Sequence, residues 1–224
     1  MLCSEHISIN RSAVEGAVSV LRCKRWNCEI CQPYNRRRVI AAASRGKPGL
    51  FLTLTSRVRD DITPDEAARA LKEAWVTLRR RIHVRYGIKN LPFLVVFERT
   101  KRGWPHLHMM IRAKWLDQRW LSEQMSDLID SPQVFIEKID AGRGCAKYVA
   151  KYLGKDPHAF AGCKRWWRSH NYEQVPPDDR PAITFGERWQ TERRSIGAQR
   201  DLLTSIGFEI HDERPGFFTF RLPS

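Results

Sequence analysis

The stretch LPFLVVFERTKRGWPHLHMMIRA, residues 91–113, decides the fold, because it predicts two β-strands joined by a tight turn. A hairpin centred on Arg102 places Glu98 opposite His106, within side-chain reach. Residues of equal parity share a face of a sheet, so His108 lies on the same face as these two. The opposite face is apolar and carries Phe97, Leu107, Met109 and Ile111.

The shared face of Glu98, His106 and His108 has the composition of a metal site. Two imidazoles and one carboxylate on a rigid sheet suit a divalent cation that keeps open coordination positions. A carboxylate and open positions favour the hard cations Mg²⁺ and Mn²⁺. The alternative is a surface hairpin whose polar residues have no common role.

The segments around the hairpin predict the order β-α-β-β-α-β. A strand is predicted over 50–57 and a helix over 63–87, with Thr63 as N-cap and Gly87 at its end. A second helix (115–130), a strand (133–139) and a further helix (142–155) follow the hairpin. The expected fold is α+β, a ferredoxin-like (RRM-like) antiparallel sheet with helices on one face and the other face open.

The predicted helix 142–155 carries a polar stripe. Tyr148, Lys151 and Tyr152 recur at helical spacing in YVAKYLGK. Tyrosines at this spacing are commonly core or rim residues. A phenol with a pKa of about 10 becomes a useful nucleophile only beside a cation or a metal-polarised phosphate. Lys151 and the predicted metal site would supply both.

Three motifs, in this order along residues 50–155, resemble those of the HUH rolling-circle replication initiators. They are FLTLT, PHLH preceded by Glu98, and YVAKYLGK. The resemblance is closest to the replication-associated proteins of small single-stranded DNA phages. It implies the HUH endonuclease fold and a single-strand endonuclease and ligase that forms a 5′-phosphotyrosine intermediate at an origin.

The resemblance also implies roles for individual residues. His106, His108 and Glu98 would be the metal ligands, Tyr148 the nucleophile and Tyr152 the second tyrosine of the two-tyrosine phage enzymes. The implied partners are single-stranded DNA of an origin hairpin and a host polymerase. The sequence has no GxxxxGK[ST] motif, so unwinding is expected from a host helicase.

Four of the six cysteines lie near the N-terminus and predict a structural zinc site. Cys23, Cys28 and Cys31 have x4 and x2 spacing, with Cys3 as the expected fourth ligand and His6 as its substitute. The alternative is three ordinary thiols. Cys145 and Cys163 are isolated and are expected to be packed thiols.

Charge and hydropathy narrow the class of protein. The 39 Lys and Arg exceed the 25 Asp and Glu, giving a net charge of +14, which favours a nucleic-acid partner. The sequence contains no apolar run long enough for a membrane span and no signal-peptide pattern, so a location in the (host bacterial) cytoplasm is expected.

The chain is expected to contain three segments. They are a cysteine-rich basic segment (1–45), the endonuclease core (46–160) and a basic aromatic extension packed on the core (161–224). In this extension, CKRWWRSHNY (163–172) could stack on single-stranded bases or pack its rings against the sheet.

Two other functions fit the same motifs. One is a single-strand transposase or relaxase with the same chemistry. The other is a zinc-containing DNA-binding regulator without catalysis.

Overall fold

The computed structural model describes residues 5–139, 159–174, 188–214 and 216–223. The predicted helix 142–155, with Tyr148, Lys151 and Tyr152, lies outside the described residues, as do Cys3 and Cys145. The chain divides into two compact units. We name Arg36–Pro176 the central unit, and Met1–Asn35 together with Pro177–Ser224 the terminal unit. The three segments expected from the sequence stay a prediction.

Within the described ranges, the elements in chain order are β1 (Ile7–Arg11), β2 (Glu15–Val20), α1 (Cys31–Arg45), β3 (Leu50–Thr55), α2 (Pro64–Tyr86), β4 (Phe93–Arg99), β5 (Pro105–Ile111), α3 (Gln118–Ile129), β6 (Val134–Lys138), β7 (Trp166–Arg168), β8 (Gln190–Glu192), α4 (Ile196–Ser205), β9 (Glu209–Arg214) and β10 (Phe217–Arg221). None of these helices combines the length and the apolar composition that crossing a membrane requires.

The central unit contains an antiparallel sheet with the strand order β6-β3-β5-β4-β7. The chain order β3-α2-β4-β5-α3-β6 confirms the predicted β-α-β-β-α-β plan and the α+β class. Strand β7 extends the sheet at the edge of β4. Its Trp167 packs against the core, with its ring 5.6 Å from that of Phe97, which favours the packing role for this tryptophan.

Helix α2 begins and ends where its sequence predicts. The Thr63 hydroxyl accepts a hydrogen bond from the Glu66 backbone N–H, and the Thr63 N–H donates to the Glu66 carboxylate. This reciprocal pair satisfies two N–H groups that the first turn leaves free. Gly87 ends the helix at φ +66°, a conformation that favours glycine.

The core lies between the sheet and helices α2 and α3. It joins Leu71, Trp75 and Leu78 of α2 and Met125 of α3 to the odd-numbered side chains of β4 and β5. The expectation that the other face is open is wrong at its centre. There, four apolar side chains are at most 1% exposed: Phe51, Leu94, Val96 and Met110.

The terminal unit has its own antiparallel sheet, with the strand order β8-β1-β2-β10-β9. Ile7, Val18, Phe218 and Phe220 form its core, and Leu203 of α4 packs there as well. The sheet joins strands from both ends of the chain, and the sequence analysis does not anticipate it.

Candidate functional site

The β4–β5 hairpin has the predicted register. Glu98 pairs with His106 and Val96 with His108. The turn is closed by backbone hydrogen bonds from Thr100 N–H to Trp104 O (2.8 Å) and from Gly103 N–H to Thr100 O (2.9 Å). Since the core covers the odd-numbered face, the hairpin presents its carboxylate and two imidazoles on the other face.

Glu98 and His108 are in direct contact on this face. The Glu98 Oε2 lies 2.5 Å from His108 Nε2, and the two side chains are 23% and 6% exposed. The ring of His106 stacks beside that of His108, with centroids 5.8 Å apart and planes 20° from parallel. Glu98 therefore contacts His108, its diagonal neighbour across the hairpin, although His106 is the residue directly paired with it.

Strand β3 holds both imidazoles through threonines. Thr53 pairs with His108 and Thr55 with His106. The Thr53 Oγ1 lies 3.0 Å from His108 Nδ1, and the Thr55 Oγ1 lies 3.2 Å from His106 Nδ1. A partner on Nδ1 fixes the orientation of an imidazole and makes Nε2 the nitrogen for a ligand. This role was not predicted from the sequence, although the alternation in FLTLT places both threonines on one face.

The protonation of His106 suits a metal ligand. Burial lowers the pKa of His106, the neighbouring His108 lowers it further, and Glu98 acts in the opposite direction. At neutral pH the imidazole is therefore uncharged, which is the form that coordinates a cation.

A cleft of about 500 Å³ opens beside His106. Arg57 contributes to its wall while pairing with Asp130 at 2.9 Å. Apart from Val58 and Trp104, the other side chains that line it are polar or cationic: Thr55, Ser56, Thr100, Lys101, Arg102 and Gln133. An anionic ligand can therefore approach His106 along a positively charged wall.

The N-terminal cysteines form a second candidate metal centre. Among the described residues, Cys23, Cys28 and Cys31 are the one group of three or more His, Cys, Asp or Glu residues whose ligand atoms all lie within 4.8 Å of one another. The sulfurs of Cys23 and Cys31 are 3.7 Å apart. Two thiolates on one tetrahedral zinc, each with a bond of about 2.3 Å, would be about 3.8 Å apart. The trio is therefore consistent with the predicted structural zinc.

Local hydrogen bonds position the cysteine trio. Cys28 O accepts from the backbone N–H of Cys31 and of Gln32, which forms the turn that starts α1. The Asn35 side-chain amide donates to Lys24 O at 3.1 Å and so holds the preceding loop. Of the two predicted fourth ligands, His6 does not belong to the group, and Cys3 lies outside the described residues.

The remaining predicted residues are those of the tyrosine stripe and the isolated Cys163. Tyr148, Lys151 and Tyr152 lie outside the described residues, so their role stays a prediction. Cys163 packs against the core, as expected, and burial raises the pKa of its thiol.

Comparison with known proteins gives a family match. Residues 49–157 are similar to the family described as replication-associated protein ORF2. This range contains the hairpin, the two threonines and the predicted tyrosine stripe. No curated protein and no solved structure matches the chain. The family match supports a role in replication initiation and an interaction with DNA.

The purified protein should contain one zinc per chain, bound by the cysteine trio. Cys28→Ser should lose this zinc, because it removes one of the three thiolates that lie within reach of a single ion. Its loss should unfold residues 1–40 and leave the central sheet folded, since metal binding supplies folding energy to a small module. Elemental analysis and hydrogen exchange measure the two effects.

Cys163→Ser is the matched control and should retain the metal. Cys3→Ser tests the predicted fourth ligand and should weaken zinc binding. A zinc-free protein with normal protection of residues 1–40 would refute the zinc site.

Proposed function

We propose that the protein initiates rolling-circle DNA replication as a metal-dependent single-strand endonuclease and strand transferase. The observation that carries this proposal is the contact between Glu98 and His108, with His106 stacked beside them on one face of the sheet. The similarity to a replication-associated family over the same residues supports it.

The hairpin residues supply the ligand types that a divalent cation takes, and Glu98 and His108 are the two that are in contact. The carboxylate of Glu98 and the imidazole of His108 already converge, and the Nδ1 partners Thr53 and Thr55 are of the kind that metal-bound histidines have. Glu98, His106 and His108 would hold Mg²⁺ or Mn²⁺. A cation bound there supplies charge that polarises the scissile phosphate.

The proposed cleavage step uses a tyrosine of the predicted stripe. The phenolate oxygen of Tyr148 attacks the phosphorus, and the bond from phosphorus to the 3′ oxygen breaks. The 3′ oxygen takes up a proton and leaves as a 3′-hydroxyl that a host polymerase can extend, while the 5′ phosphate stays on Tyr148. The ammonium of Lys151 favours the phenolate form of the nucleophile. Tyr152 would carry out the second transfer.

The charge of the protein suits an origin DNA strand as substrate. The net charge is +14, and the cleft beside His106 has Arg57, Lys101 and Arg102 in its wall. Cations placed next to the metal ligands can hold the phosphates that flank the scissile bond.

Two alternatives are separated from this proposal by experiment. Metal-dependent nicking with a covalent tyrosyl-DNA product would exclude a non-catalytic zinc-containing regulator. An origin neighbouring the gene would favour an initiator over a single-strand transposase or relaxase.

Replacing both histidines, His106→Ala/His108→Ala, should abolish Mn²⁺-dependent nicking of a single-stranded oligonucleotide. Binding of the oligonucleotide should remain largely intact, because Lys and Arg supply most of the affinity. Denaturing gels and fluorescence anisotropy measure the two properties. His211→Ala, an exposed histidine of β9 in the terminal unit, is the matched control. Undiminished nicking by the double variant would refute the site.

Thr53→Val removes the hydroxyl next to His108 Nδ1 at nearly constant volume. We expect Mn²⁺ affinity, measured by electron paramagnetic resonance, to fall about 10- to 100-fold, since outer partners of ligating histidines typically contribute this much. Thr53→Ser keeps the hydroxyl and should bind Mn²⁺ nearly as the unchanged protein does. Equal affinities in all three proteins would contradict the role of Thr53.

The tyrosines should differ in function. Tyr148→Phe should lose the first cleavage, and Tyr152→Phe should keep single-turnover nicking but lose strand transfer after a full round. Mass spectrometry of the tyrosyl-DNA peptide identifies the linked residue. A DNA adduct on Tyr152 alone, with Tyr148→Phe fully active, would reverse the assignment.

A further inference from the structure

The second half of helix α2, the loop after it and the start of β4 form a strongly basic segment. Residues 74–97 contain no Asp or Glu, although they contain five Arg and Lys residues and one histidine. Without carboxylates in the segment itself, its cations depend on other elements for partners.

These cations divide into two groups. Arg81 and Arg85 face α3, where Arg81 lies 2.7 Å from Asp127 and Arg85 lies 3.9 Å from Asp117. The second group, Arg79, Arg80 and Lys89, lines a cavity of about 510 Å³ together with His83 and apolar neighbours. Among the described residues, no carboxylate lines this cavity.

Arg79 is the least satisfied cation of the second group. Its guanidinium carbon lies 4.7 Å from the ring centre of Phe93 and 5.8 Å from that of Trp75. Its Nε is buried and has no hydrogen-bond partner within the described part of the chain. Burial and the neighbouring Arg80 lower the pKa of Arg79. A buried donor without an acceptor is costly, and this cost falls if the side chain turns toward an anion in the cavity.

We propose that this cavity binds the phosphate backbone of DNA as a second contact surface, separate from the candidate cleavage site. A guanidinium suits phosphate because its donors match the phosphate oxygens. The adjoining Val84 is 84% exposed and offers an apolar contact to a sugar. Because α2 packs on the face of the sheet opposite Glu98, the surface would hold DNA that flanks the cleaved strand. The proposal rests on the proposed function only in taking DNA as the ligand.

The test compares two double variants of the same segment. Arg80→Gln/Lys89→Gln removes two cations of the cavity. Arg81→Gln/Arg85→Gln removes the same charge from cations that already face carboxylates. Fluorescence anisotropy measures the binding of a single-stranded oligonucleotide at several NaCl concentrations between about 50 and 300 mM, a range over which salt screening increases strongly. Each phosphate contact contributes about 0.7 to the slope of log affinity against log salt.

The cavity variant should reduce the magnitude of this slope by about 1.4 and weaken binding. The control variant should leave the slope and the affinity unchanged. Equal slopes for the two double variants would overturn the proposal.

Arg79→Gln, checked for folding by thermal unfolding, should give a further loss of affinity, and no such loss in a folded protein would also overturn it. The comparison is repeated in proteins that also carry His106→Ala/His108→Ala. Because these proteins should not cleave the oligonucleotide, the slopes then report binding alone. Failure of the nuclease proposal alone would leave the slopes unaffected.

Discussion

The pairing register of β4 and β5 is the constraint on which the central unit depends. A shift of β5 by one residue would place Leu107 on the face that now carries Glu98, and would move His106 and His108 into the core. The apolar contacts with α2 and α3 therefore stabilise the register. The same contacts that fold the sheet thus determine which side chains form the candidate site.

Strand β3 connects this register to the chemistry of the site. It lies between β5 and β6, and its alternate residues point to both faces. Leu52 and Leu54 enter the core, whereas Thr53 and Thr55 reach the two imidazoles. A hydroxyl at each of these positions keeps a polar partner beside a partly buried ring, so the imidazoles are oriented before any ligand binds.

Much of the central unit could be predicted from the sequence, because its signals are local. The capping box at Thr63 and the parity of Glu98, His106 and His108 depend on residues close to each other in the chain. The sheet of the terminal unit could not be predicted in this way. Its strand β2 pairs with β10 from the other end of the chain, and the pattern within either segment does not identify so distant a partner. The diagonal contact of Glu98 with His108 was also missed, because register alone does not specify rotamers.

The two candidate metal centres differ in the chemistry of their ligands, and this difference determines which ion each of them favours. The thiolates of Cys23, Cys28 and Cys31 are soft ligands that favour zinc over Mg²⁺. Glu98 supplies a hard oxygen, and with two imidazoles it forms a set that leaves positions free for phosphate oxygens. Closed coordination by sulfur stabilises a fold, whereas open coordination can take part in a reaction. The distribution of ligand types therefore separates the structural role predicted near the N-terminus from the catalytic role proposed for the central sheet.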